Sequence, residues 1–327
     1  MTDLSLSVLL AGVLATAAPL VIASLGETLT EKAGVINLSL DGSLLLSAMI
    51  GFMAAYESGS FLAGFAAAAL TGALVAGLVG VFGVYLGQLQ VAVGFALTLL
   101  CRDLAYFLGN PYSRLQGPQL TSWPVPGLAE IPVIGPVLFQ QPPVVYLALV
   151  LVPVVWWYLF RTRRGLELRA VGENPEAAYT RGIDPRRKQL LYTLAGGALV
   201  GLAGAAYSLG IKPGWGRPQG IEGIGWIALA IVIFGGWHPV KVALGALLFA
   251  FLQVIGITLQ EAWPGVPAQV FQVAPFPLMI LTLVLVNLLQ REGVRRWLAR
   301  RPALAQVVRQ LQGRPPRALG RSPGPRG

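Results

Sequence analysis

Apolar runs, most of about 20 residues, succeed one another along this chain, and each of that length can cross a bilayer core of roughly 30 Å as a helix. They cover 4–24, 35–56, 61–86, 91–108, 144–160, 190–209, 224–235, 240–259 and 276–289. No ten-residue alternation of apolar and polar positions repeats, so a membrane barrel is excluded. The expected architecture is an all-α, polytopic transmembrane bundle of about nine spans. Two of them are irregular: 35–56 opens on Asn37, Ser39, Asp41 and Ser43, and 224–235 is short. The first run has only Asp3 as a nearby charge and no basic segment before it, so it reads as a retained span and not a cleaved signal.

Charge then orients the bundle. The net charge of +10 is not dispersed over a face suited to nucleic acid. Eighteen of the 24 Lys and Arg residues lie in the segment 161–189 or after residue 290, beside apolar runs. Basic residues accumulate on the cytoplasmic side, which puts both regions inside and, counting back, the N-terminus outside. The expected organisation is a transmembrane domain over 1–290 and a basic, disordered cytoplasmic tail over 291–327. The Pro/Gly-rich connection 110–141, with only Arg114 and Glu130 charged, fits an external loop.

The chemistry of an enzyme is missing. The single Cys101 and single His238 leave no cysteine cluster and no conventional metal centre. No G-x-x-x-x-G-K-[ST] phrase occurs, so there is no recognisable cradle for ATP. Small residues recur every four positions at Gly72/Ala76/Gly80, Gly83/Gly87 and Gly197/Gly201/Ala205, a spacing that lets helix backbones approach closely. Trp123, Trp156, Trp157, Trp215 and Trp263 fall near expected membrane boundaries as aromatic anchors. His238, between Trp237 and Pro239, reads as structural.

The charged segment 161–189 is the strongest functional clue. It contains Gly172-Glu173-Asn174-Pro175-Glu176-Ala177-Ala178, then Arg181 and Gly182. Asn174 suits an N-cap, and Pro175 at the first helical position forfeits no internal hydrogen bond. Glu176 favours the positive helix end, and Gly182 can take the left-handed geometry that ends a helix. The spacing predicts a short helix over 175–181, with Ala177 and Ala178 as a small surface able to seat in another protein's groove. It equally admits a structured loop lying on its own bundle.

This segment resembles the cytoplasmic coupling loop of bacterial ABC-importer permeases, in the branched-chain amino-acid/ribose-type superfamily. Within it the likeness is to the nucleoside/simple-sugar branch served by basic membrane lipoproteins. Further stretches carry it: Gly26-Glu27 through Glu31-Lys32-Ala33-Gly34-Val35-Ile36-Asn37-Leu38-Ser39-Leu40-Asp41-Gly42, then 93–100, 225–235 with Trp237-His238-Pro239, and 277–283. Asp41 and Ser43 depart from the Glu and Met of the family's pattern, and the tail is longer than usual. The resemblance implies the ABC-importer permease fold and a non-enzymatic transport subunit in the bacterial cytoplasmic membrane, carrying nucleosides or related small solutes. It implies that Gly172, Glu173, Asn174, Pro175, Glu176, Ala177, Ala178, Arg181 and Gly182 couple to a separate ATP-binding subunit. Expected partners are that subunit with its ATP and Mg, a second related permease chain, an extracytoplasmic substrate-binding lipoprotein and the lipid bilayer. The chain itself needs no cofactor or metal.

Polar residues inside spans complete the expectations. Asn37, Ser39, Asp41, Gln90 and Thr98 are candidates for the solute path, or for helix-to-helix hydrogen bonds. Glu27, Glu31 and Lys32 are candidates for a gate or ATPase contact, or for interfacial pairing. A secondary transporter is the alternative class; it calls for inverted repeats and a mid-membrane coupling carboxylate, and no repeat is evident.

Overall fold

The computed structural model describes residues 6–132, 134–262 and 313–321, together with 270, 277 and 281. Among them ten α-helices follow in order: α1 (Leu6–Lys32), α2 (Leu40–Ser58), α3 (Phe61–Gly80), α4 (Gln90–Gly109), α5 (Pro143–Arg161), α6 (Arg163–Glu173), α7 (Pro175–Thr180), α8 (Pro185–Ala206), α9 (Ile224–Phe234) and α10 (Pro239–Ala262). Six helical stretches among the described residues are long and apolar enough to cross a membrane: Leu6–Lys32, Phe61–Tyr85, Gln90–Tyr112, Pro143–Arg161, Pro185–Ile211 and Pro239–Gly256. The apolar run 276–289 lies outside the described residues, except for 277 and 281.

Helix α1 is the axis of the bundle. It is buried without interruption from Ala17 to Glu31, because α5, α8, α9 and α10 all pack on it. It runs well past the expected end at residue 24 and carries Glu27, Glu31 and Lys32 within the helix.

The tightest seam is between α3 and α8, where the two small-residue stripes meet. A Cβ on Gly72 would stand 2.2 Å from the carbonyl oxygen of Gly197, and one on Gly201 would stand 2.1 Å from that of Ala68. Only hydrogen at these positions permits the approach, so dispersion contacts between backbones stabilise the pair where lipid offers no hydrophobic drive.

Both irregular spans are discontinuities. The second helix begins at Leu40, not Val35, and residues 35–37 rise from the end of α1 without regular structure. Helix α9 has 11 residues, about 16 Å, roughly half a bilayer core. Its first turn meets the start of α2: a Cβ on Gly225 would lie 2.4 Å from the Cα of Asp41. Irregular backbone at such depth persists only where protein or water satisfies it.

One end of the bundle gathers the α1–α2 turn, α6, α7 and the α9–α10 turn. The other end holds the α2–α3 turn, the loop after α4 and residues 212–223. In that loop Trp123–Pro124 pair antiparallel with Gln140–Gln141. Trp123 and Trp157 are exposed, as anchors require, but Trp215 is 4% exposed and packs on Gly109 and Tyr106, so it is a core residue. Trp263 lies outside the described residues.

Candidate functional site

The short helix in the charged segment forms as its residues dictate. The Asn174 side chain accepts from the Ala177 N–H at 3.0 Å, satisfying an otherwise orphaned donor, and Pro175 opens the helix. Arg181 caps the far end instead of completing it, and Gly182 turns the chain at φ +79°. The Ile183 N–H then returns to the Ala178 carbonyl at 3.1 Å.

The exposed face differs from the one expected. Ala178 is 3% exposed and faces the protein, whereas Glu173, Asn174, Glu176, Ala177, Arg181 and Gly182 are open. Tyr179, which the sequence reading passed over, is 57% exposed and is the large apolar group of this surface. A helix of six residues is too short for periodicity to assign its faces; Tyr179, beside two alanines, was the available signal.

Neighbouring α6 ties this helix to the bundle. The Thr162 hydroxyl caps its start by accepting from the Gly165 N–H at 3.0 Å. Gly165 lies against the Tyr158 carbonyl and Gly172 against that of Lys32; a side chain at either would collide with backbone. Lys188 of α8 donates to Glu167 at 2.7 Å, and this bond holds the Glu167 carboxyl below its ordinary range. The Tyr158 and Tyr192 hydroxyls are 2.7 Å apart, and Tyr192 also donates to the Arg164 carbonyl at 3.3 Å. Arg169 lies over Phe160, whose ring stacks on His238 with centroids 5.2 Å apart. Displacement of α6–α7 therefore loads α1, α5, α8 and the α9–α10 turn together.

The expected path residues converge on the irregular segment before α2. Gln90 accepts from the Ile36 N–H at 2.9 Å, and Thr98 donates to the Leu38 carbonyl at 2.6 Å. Asn37 Oδ1 accepts from both the Ser39 N–H and its hydroxyl, which also meets Ser43 at 3.1 Å. Asp41 accepts from the Gly225 N–H at 3.0 Å, offering a carboxylate to the positive end of α9. These residues replace the hydrogen bonds that the broken helices forfeit. Asp41 is half-buried, while Asn37, Ser39, Gln90 and Thr98 are buried.

The acidic residues of α1 are enclosed by the protein. Glu31 is 2% exposed and accepts from the Trp237 indole N–H, joining α1 to the α9–α10 turn. Glu27 is fully buried one turn away, and neither of its oxygens has a hydrogen-bond partner among the described residues. Lys32 is half-buried. Both acidic side chains are thus closed off from solvent within this chain.

The arrangement has helices broken at depth, a polar segment at the break and a capped surface helix levered against the bundle. Among the described residues no three His, Cys, Asp or Glu side chains group to hold a metal ion. Comparison with known proteins gives the family. A family profile described as "Branched-chain amino acid transport system / permease component" matches residues 9–283. The chain is 37% identical over 247 residues, 74% of both chains, to the putative glucose ABC transporter permease protein TsgC13 of Haloferax volcanii. It is 33% identical over 302 residues, 86% of this chain and 92% of the relative, to the nucleoside ABC transporter permease protein NupC of Lactococcus lactis. A second L. lactis permease, NupB, is 34% identical over 107 residues, 33% of this chain and 29% of that one. No solved structure matches. By the extent of the family match and the NupC likeness, the chain belongs to the family of permease components of branched-chain amino acid transport systems, as a transport subunit and not an enzyme.

Proposed function

We propose that this permease imports nucleosides or related small solutes through the bacterial cytoplasmic membrane, driven by a separate ATP-binding subunit that docks on α7. The observation that carries the reading is the capped helix α7, open on one side and braced through α6 against α1, α5 and α8 on the other. The N-terminus is outside, and the α6–α7 end is cytoplasmic, where the basic residues of 161–189 meet the positive-inside rule. ATP and Mg are bound by the partner, since no phosphate-cradling motif occurs in this chain.

Coupling then works by differential stabilisation: closure of the ATP-binding subunits favours one arrangement of the helices against which α6 is braced. The discontinuity at residues 35–40 and the start of α9 is where the bundle is least committed to continuous helix, and Asp41 is its half-buried carboxylate. Relatives named for nucleosides and for glucose share a polyhydroxylated ring as solute chemistry. The pairing of NupB with NupC in one organism supports a second, related permease chain as partner. An extracytoplasmic lipoprotein would deliver the solute.

The test is copurification of the assembled complex, followed by binding of its receptor to nucleosides, purines, simple sugars and riboflavin, and ATP-dependent uptake in vesicles. Uptake that proceeds without the ATP-binding subunit would overturn the reading.

A further inference from the structure

The C-terminal stretch was expected to be disordered, yet residues 313–321 are seated on the α6–α7 end of the bundle. The Ala318 N–H donates to the Gly172 carbonyl at 2.9 Å, and the Gly320 N–H donates to the Gly34 carbonyl at 2.9 Å. Ala318 is 4% exposed, Pro316 is buried, and Leu319 packs against the main core. Gly313 lies against the backbone of Gly236, in the α9–α10 turn. One segment thus bridges the α1–α2 turn, the end of α6 and the α9–α10 turn.

Its charges are not spent on this seat. Arg314, Arg317 and Arg321 all face out, and among the described residues their one ion pair is Arg317 with Glu173 at 4.0 Å, both largely exposed. Such a pair contributes little to folding. The arginines are nonetheless held in place by backbone bonds, at the residue pair Gly172-Glu173 that leads directly into Asn174 and α7. Preorganised charge beside a docking helix costs less to bind than charge on a free tail, because less ordering is required.

We propose that residues 313–321 are a strap that extends the α7 docking face, its backbone fixed to Gly34 and Gly172 so that Arg314, Arg317 and Arg321 meet an acidic patch on the ATP-binding subunit. This rests on the α7 reading above. It follows that the tail contributes to recognition of the partner through rim electrostatics, and that the contribution fades with salt.

The experiment uses the full complex in nanodiscs of zwitterionic lipid, with retention of the ATP-binding subunit as readout. The triple variant Arg314→Glu/Arg317→Glu/Arg321→Glu is expected to weaken retention on the order of tenfold at low salt, with the difference shrinking at high salt. Ala318→Asp keeps all three arginines but unseats the strap, and is expected to show much of the same loss. Unchanged retention in the triple variant overturns the proposal. So does full retention in Ala318→Asp beside loss in the triple variant, which would mean that the seat is irrelevant. A loss seen only with anionic lipid assigns the arginines to the membrane and overturns it too. Tyr179→Arg serves as reference: a complex indifferent to that change as well overturns the α7 reading itself, whereas one sensitive to it but not to the tail variants overturns only the strap.

Discussion

The Asp41 carboxylate accepts the backbone N–H of Gly225 across 184 positions of sequence, joining the first turn of α2 to the first turn of α9. Both helices start inside the bundle, so neither has water at hand for its first N–H groups. Asp41→Ala is expected to cost about 1 kcal/mol of stability, the usual loss for a cap, and to reduce uptake. Asp41→Asn keeps an acceptor of similar capping strength and restores most of the stability. Thermal unfolding in detergent checks the first effect and vesicle uptake the second. If Asn restores stability without uptake, the charge acts on the solute path and not only as a cap.

On α7 the exposed ring of Tyr179 and the buried methyl of Ala178 predict different failures. Tyr179→Ala is expected to leave the helix and membrane insertion intact while lowering solute-stimulated ATP hydrolysis severalfold. Ala178→Arg forces a charge into a site 3% exposed, so it is expected to disrupt the α6–α7 fold as well as coupling. Limited proteolysis of the segment separates the two: accelerated cleavage in Ala178→Arg but not in Tyr179→Ala. Equal cleavage in both would remove the assignment of faces.

Much of this was legible in residues whose effect is local. Asn174, Pro175 and Gly182 act on their own neighbours, and the helix they bracket forms where their spacing places it. The stripes Gly72/Ala76/Gly80 and Gly197/Gly201/Ala205 announce close packing, but spacing names a face and not the partner that face meets. The start of α2 was misread for a related reason. Hydropathy at 35–39 favours a span, whereas Asn37, Gln90 and Thr98 offer the backbone other hydrogen bonds and the helix waits until Leu40. The seat of residues 313–321 could not be read at all, because backbone bonds to Gly34 and Gly172 leave no pattern in side chains.

The α3–α8 seam supplies a stability prediction. With Gly72 so close to the Gly197 carbonyl and the Gly201 backbone, Gly72→Ala must push the helices apart. Overpacking of this kind costs about 1–3 kcal/mol. The variant is expected to unfold several degrees lower and to show increased protease sensitivity in α3 and α8. Gly12, which has nothing within 4 Å of its added Cβ, is the matched control, and Gly12→Ala should unfold as the parent does.

His238 provides the pH dependence. It lies in the α9–α10 turn, stacked on Phe160, and burial together with the nearby Lys241 and Lys32 charges holds its imidazole below the ordinary value near 6.5. Arg169, over the other partner of that stack, adds no carboxylate to offset them. The sign follows from which state takes the proton. Above about pH 6.5 both folded and unfolded chains hold a neutral imidazole, and the contribution of His238 is constant. As the pH falls below that value the unfolded chain protonates first, so stability declines until the folded-state value is reached. Melting temperatures measured from pH 8 to pH 5.5 should therefore be flat at first and then fall, and His238→Gln should remove part of the fall by replacing the ring with a non-titrating side chain. A variant whose profile keeps the full decline would place the responsible group elsewhere.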